Sequence, residues 1–86
     1  MKVQNMINSN GNTVPNQFII YNGTETYFQS YGSVIVKLAN GNVYLDENKW
    51  DYSKATGKYR NLFLSRTTAE IKARIKTGEY ILSNLN

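Results

Sequence analysis

Two Asn-Gly pairs, Asn22-Gly23 and Asn40-Gly41, constrain this chain most, because each lies between runs of strand-forming residues. Both central positions of a type I′ hairpin turn need a positive φ, which asparagine tolerates and glycine adopts without strain. Residues 17–21 (QFIIY) precede the first pair, and residues 26–31 (TYFQSY) follow it, stopped by Gly32. Residues 33–38 (SVIVKL) make a third strand, and the second pair leads into a fourth at 43–46. Alternation puts Val34, Val36 and Leu38 on one face, with Ile35 and Lys37 on the other. Four strands linked this way form an antiparallel meander. Tyr27 and Tyr31 lie opposite Phe28, so the third run has a polar-aromatic side and an apolar side.

Residues 1–15 read as a flexible lead-in. Asparagine, serine, glycine, threonine and the single Pro15 dominate from Asn8 onward, and Asn10-Gly11 is a turn signal. Val3 offers an edge strand over residues 2–6. Residues 16–86 then form one domain.

Helical spacing begins at Ser53, whose hydroxyl suits a helix N-cap. Ala55, Tyr59, Leu62 and Phe63 follow at i, i+4, i+7 and i+8, which places them on one side of a helix. Gly57 interrupts that helix at a cost of about 1 kcal/mol relative to alanine, and close approach of another backbone would explain it. Thr67 to Glu70 is a capping box, Ile71 and Ile75 make an apolar stripe, and Gly78 marks the helix end. Glu70 and Arg74 form a favourable i,i+4 pair. Residues 80–85 (YILSNL) read as a last strand. The expected order is ββββααβ: an α+β domain, with two short helices packed on one face of a small antiparallel sheet.

Composition excludes much chemistry. The 86 residues hold no cysteine and no histidine, so thiolate and imidazole nucleophiles, bases and metal ligands are ruled out. Neither a secretory h-region nor a run of 18 apolar residues is present, so no membrane role is expected. Asp46, Glu47 and Asp51 surround the lone Trp50, but short acidic groups at strand ends ordinarily sit in solvated turns or cap helices. No catalytic, metal or cofactor site is expected.

Charge is divided unevenly. Residues 1–48 carry Lys2 and Lys37 against Glu25, Asp46 and Glu47, a balance of −1, whereas residues 49–86 balance at +5. The candidate binding residues follow from this and from the aromatics. Lys54, Lys58 and Arg60 lie along the first helix, Lys72 and Lys76 lie one turn apart on the second, and Tyr27, Tyr31 and Trp50 offer stacking faces. Each has an ordinary alternative: solvated cations on the helices, tyrosines bordering the core, and a tryptophan anchored within it.

The block Trp50-Asp51-Tyr52-Ser53, with Thr56-Gly57-Lys58-Tyr59-Arg60-Asn61 and Phe63-Leu64, resembles a short protein family carried by bacteriophages and other mobile elements. The likeness extends to Asn16-Gln17-Phe18, to Tyr27-Phe28-Gln29-Ser30-Tyr31 and to the Asn84-Leu85-Asn86 ending. That family has no assigned activity, so the resemblance implies a setting, the bacterial host cytoplasm, and transfers no site. Its members often place glycine where this chain has Ser65, so the helix exit is expected to differ here.

These readings lead to a small non-catalytic accessory protein that binds a bacterial host protein, such as a defence component. Two alternatives remain open. One is a nucleic-acid-binding protein using the basic helices and the tyrosines. The other is capture of a small nucleotide signal between protomers, and for a domain of this size a homodimer would add stability.

Overall fold

The computed structural model describes residues 1–86. Its elements are β1 (Lys2–Ile7), β2 (Thr13–Asn22), β3 (Glu25–Ser30), β4 (Ser33–Ala39), β5 (Asn42–Asp46), α1 (Lys54–Leu64), α2 (Thr68–Thr77) and β6 (Tyr80–Ser83). The strands form one six-stranded sheet in sequence order. β1 to β5 pair antiparallel, while β6 returns parallel to β5 after the two helices. A parallel return needs a long crossover, and α1 with α2 supplies it. The α+β class is as expected; the order is not, since five strands rather than four precede the helices.

The additional strand is the edge strand offered around Val3, so residues 2–7 and 13–15 of the expected flexible lead-in belong to the sheet. Val3 lies opposite Ile20, and residues 8–12 form a hairpin loop in which Asn8 Oδ1 accepts from the Asn10 and Asn12 N–H groups at 3.0 Å. The pattern of β1 is hard to see in the sequence because the register shifts between Asn5 and Ile7. Met6, the residue within the shift, is buried in the core.

Asn40 (φ 54°) and Gly41 (φ 77°) make the expected turn with two positive φ angles. At the other pair, Asn22 instead belongs to the ladder, opposite Glu25, so the turn is Gly23-Thr24 with only Gly23 at positive φ. That is the glycine-first pattern of a type II′ turn. A further two-residue turn has Tyr31 at φ 51° and Gly32 at φ 82°, and the Tyr31 N–H donates to the Asn16 carbonyl at 2.9 Å.

β4 departs from simple alternation. Phe28 lies opposite Val36 and Gln29 opposite Val34, which leaves Ile35 as the extra residue of a bulge. Ile35 and Val36 are both fully buried in one cluster, so Ile35 does not share the outer face with Lys37.

The cross-strand row Ile19, Phe28, Val36 and Leu45 defines the covered face. Ile71 of α2 joins its core cluster, and the Phe63 ring of α1 stacks on Phe28 with centroids 5.7 Å apart. The opposite face carries the row Val3, Ile20, Tyr27, Lys37, Tyr44 and Ile81, one residue from each strand. No helix packs on it. Beyond β6, Asn86 imitates a strand: its side-chain amide donates to the Val34 carbonyl and accepts from the Val34 N–H.

The helices keep their expected ends. Thr56 N–H donates to Ser53 Oγ at 3.2 Å, and both bonds of the Thr67–Glu70 capping box are present. Gly78 closes α2 at φ 85°. Ser65 closes α1 at φ 55°, the left-handed geometry that glycine favours, so the helix makes a left-handed exit without glycine. The Glu70–Arg74 pair does not form: the Glu70 carboxylate serves the cap, and Arg74 Nε donates to Glu79 at 3.2 Å.

Candidate docking surface

α1 is rotated relative to its apolar spacing. The residues it buries are Thr56, Gly57 and Arg60, whereas Leu62, expected in the core, is 55 % exposed. Tyr59, Phe63 and Leu64 are partly buried and pack against the core, and Ala55 is half-buried.

Arg60 accounts for the rotation. Its guanidinium is fully buried, and each of its five N–H groups has an acceptor. Nη1 donates to the Trp50 carbonyl at 2.6 Å and to Asp51 Oδ1 at 3.0 Å. Nη2 donates to Asn61 Oδ1 at 2.9 Å and to Thr68 Oγ1 at 3.0 Å, and Nε donates to Asn61 Oδ1 at 3.1 Å. The cation also lies over the Trp50 ring, 5.2 Å from its centroid. One turn earlier, the buried Thr56 hydroxyl shares a 2.8 Å hydrogen bond with Ser30 of β3. A complete acceptor set makes burial of the charge tolerable, and leaving it incomplete would be costly. Arg60 is therefore a fastener between the 50–51 segment, α1 and the start of α2. It is not a surface cation, which corrects its reading as a binding residue. Trp50 takes the core position that was its ordinary alternative.

Gly57 does not admit a second backbone. A Cβ there would meet only the Arg60 guanidinium, at 3.5 Å from Nη2, which is ordinary contact.

The remaining candidates separate onto different surfaces. Tyr27 stands on the open sheet face, where its hydroxyl donates to Glu25 Oε1 and holds that carboxyl below its usual range. The same bond holds the Tyr27 phenol above its usual range. Tyr31 projects from a turn and is 55 % exposed. Lys54, Lys58, Lys72 and Lys76 are exposed on the helices, and none is in an ion pair. Tyr27 and the helical lysines thus stand on opposite sides of the sheet.

Leu62 and Lys58 form the ridge between two clefts. One, of about 600 Å³, lies at the α1–α2 junction and is lined also by Asn61, Arg66 and Glu70. The other, of about 430 Å³, lies between α1 and the β1–β2 loop and is lined also by Ile7, Asn8 and Tyr59. Ile7, like Leu62, is 55 % exposed. The only carboxylate lining either cleft is Glu70, which accepts from the Thr67 N–H and is held below its usual range mainly by that bond, with Arg66 and Arg74 nearby. Leu62 and Ile7 could not have been found by periodicity, which assigned Leu62 to the core.

Two of the three acidic residues near Trp50 are committed to structure, while Glu47 is exposed. Asp46 Oδ1 accepts from the Leu85 N–H at 2.9 Å and Oδ2 from the Asn48 N–H, while Asp51 holds Arg60. No helix is long and apolar enough to cross a membrane.

Residues 1–79 match a family of unknown function (DUF8033). The chain belongs to that family. The match ends within the short link between α2 and β6, so it takes in the meander, the Arg60 fastener and both clefts. No curated protein and no solved structure matches the chain.

Proposed function

We propose that this member of the family is a non-catalytic accessory protein that acts by binding another protein across the outer side of α1. The observation that carries this reading is the rotated helix. α1 buries Thr56 and Arg60 and leaves Leu62 exposed beside Ile7, with a cleft on either side. Lys58 and Arg66 border the same ridge, while Glu70 is engaged in its own cap. Such a surface suits a partner segment that offers an apolar side chain flanked by carboxylates. In the mobile-element setting implied by the sequence resemblance, the partner is a bacterial host protein such as a defence component.

A photo-crosslinking residue at position 62 tests this in host cells, with position 44 on the open sheet face as reference. The expected result is one host protein captured from position 62, resistant to nuclease and lost in a Lys58→Glu, Arg66→Glu double variant that keeps its circular dichroism spectrum. Capture that survives the double substitution would refute the docking site. Adducts removed by nuclease would transfer the reading to nucleic acid bound by the helical cations.

A further inference from the structure

We infer that the open face of the sheet packs against the same face of a second copy of this chain. The row Val3, Ile20, Tyr27, Lys37, Tyr44 and Ile81 crosses all six strands and has no covering element. Beside it, Phe18 and Val34 point to the same side through their pairing with Gln29. An antiparallel sheet can leave one face to water, but an uncovered patch of aliphatic and aromatic side chains marks an interaction surface.

Charge decides between occupants. The accessible charges on this face, Lys37 and Glu25, neutralise one another at 3.6 Å. Their side chains are 31 % and 35 % exposed, so part of their desolvation accompanies folding. Lys37 also lies 5.6 Å from the Tyr44 ring centroid. A locally neutral face lacks the cations that a nucleic-acid backbone requires. It is also the face through which two molecules of net charge +4 can meet with their basic helices pointing away from each other.

The area is sufficient. Six strands at about 4.8 Å spacing, each exposing about 17 Å of its length, project about 400 Å². Side-chain relief raises this to roughly 600 Å² per copy, the lower end of stable interfaces. The two sheets would lie about 10 Å apart, with helices on both outer sides. Both α1 ridges would remain free, so this inference goes beyond the proposed function and stands independently of it.

Sedimentation velocity from about 1 to 200 µM is the test. The expected result is reversible dimer formation, weakened at least tenfold by Ile20→Lys or Tyr44→Lys and unchanged by Leu62→Lys. A monomer at every concentration would overturn the inference, as would a dimer indifferent to both face substitutions. Spin labels provide a readout that does not depend on those variants folding, since the chain has no native cysteine. Gln29→Cys labels should lie within about 25 Å of each other in the dimer, and Lys72→Cys labels beyond about 35 Å, from the layer spacing. The reverse order would place the interface on the helices and overturn it.

Discussion

Replacing Arg60 with methionine removes a charge that five hydrogen bonds hold in the interior, and the cost can be worked from its partners. The Trp50 carbonyl loses the 2.6 Å bond from Nη1, and an unsatisfied buried carbonyl costs about 1–3 kcal/mol. Asn61 Oδ1 loses both of its donors, whereas Thr68 Oγ1 keeps the Asn61 Nδ2 bond at 3.0 Å. Loss of the cation over the Trp50 ring removes about 0.5–1 kcal/mol more. Breaking a wholly buried ion pair costs about 3–5 kcal/mol, but the Asp51 side chain is 41 % exposed and regains water, so that range is an upper limit. Methionine restores part of the lost packing. The net is about 2–4 kcal/mol, a large share of the roughly 4–13 kcal/mol expected for a domain this size. At about 4–8 °C per kcal/mol, the thermal midpoint should fall by about 10–30 °C. Urea unfolding followed by fluorescence and far-UV circular dichroism measures this directly, and the lone Trp50 reports from the site itself. Arg60→Lys should fall between wild type and Arg60→Met, because an ammonium has three donors and cannot reproduce the planar fork. Lys58→Met, two positions away on the exposed side, should stay within about 0.5 kcal/mol of wild type. Should Arg60→Met and Lys58→Met agree within that margin, the fastener assignment is wrong.

Gly57→Ala should stabilise the protein by about 0.5–1 kcal/mol, since a Cβ there meets only ordinary contact and glycine weakens a helix interior; a lower urea midpoint would show tighter packing than described. Ser65→Gly should add about 0.5–1 kcal/mol by relieving a left-handed serine at the α1 exit, and no change would mean that the cap relaxes in solution. Leu62→Lys should change stability by less than about 0.5 kcal/mol; a loss of about 2–5 kcal/mol, as for truncating a core leucine, would restore Leu62 to the interior. Acid should destabilise the fold through Glu25 and Glu70, whose folded pKa values lie below the ordinary 4.5 because Tyr27 and the Thr67 N–H donate to their carboxylates. A lowered folded pKa contributes stability that is complete above the unfolded value and is lost as pH falls through the folded one. The thermal midpoint should therefore decline below about pH 4.5, less steeply in Glu70→Gln, and an identical slope in that variant would exclude the cap as a source. At the alkaline end, Tyr27 is raised above 10.0, so its contribution is complete below that value and is lost as pH rises through the folded one.

What the sequence alone determined was local. The Asn40-Gly41 turn, the Ser53 and Thr67 caps and the Gly78 stop were legible because each depends on backbone geometry within a few residues. The α+β class followed from the change of period between the strand runs and the helices. Where two segments compete for one set of partners, local rules failed. Asn22 joined the ladder because its pairing with Glu25 moved the turn by one residue, and Ile35 turned inward because a bulge placed it beside Val36. The edge strand offered around Val3 is present as β1, but its pattern was weak because Val3 and Met6 face opposite sides of a strand whose register shifts between them. The candidate surface was the least legible part. Periodicity assigns a helix its buried side by hydrophobicity, and here the deciding term was polar. The Trp50 carbonyl, Asp51, Asn61 and Thr68 converge on one point only after the chain has folded, and there they offer Arg60 an acceptor for every donor. That convergence turned α1, buried its cation and left Leu62 facing solvent. Tertiary structure decided it, because hydrogen-bond satisfaction of a buried charge depends on how the groups before, within and after the helix are placed in space, which helical periodicity does not read.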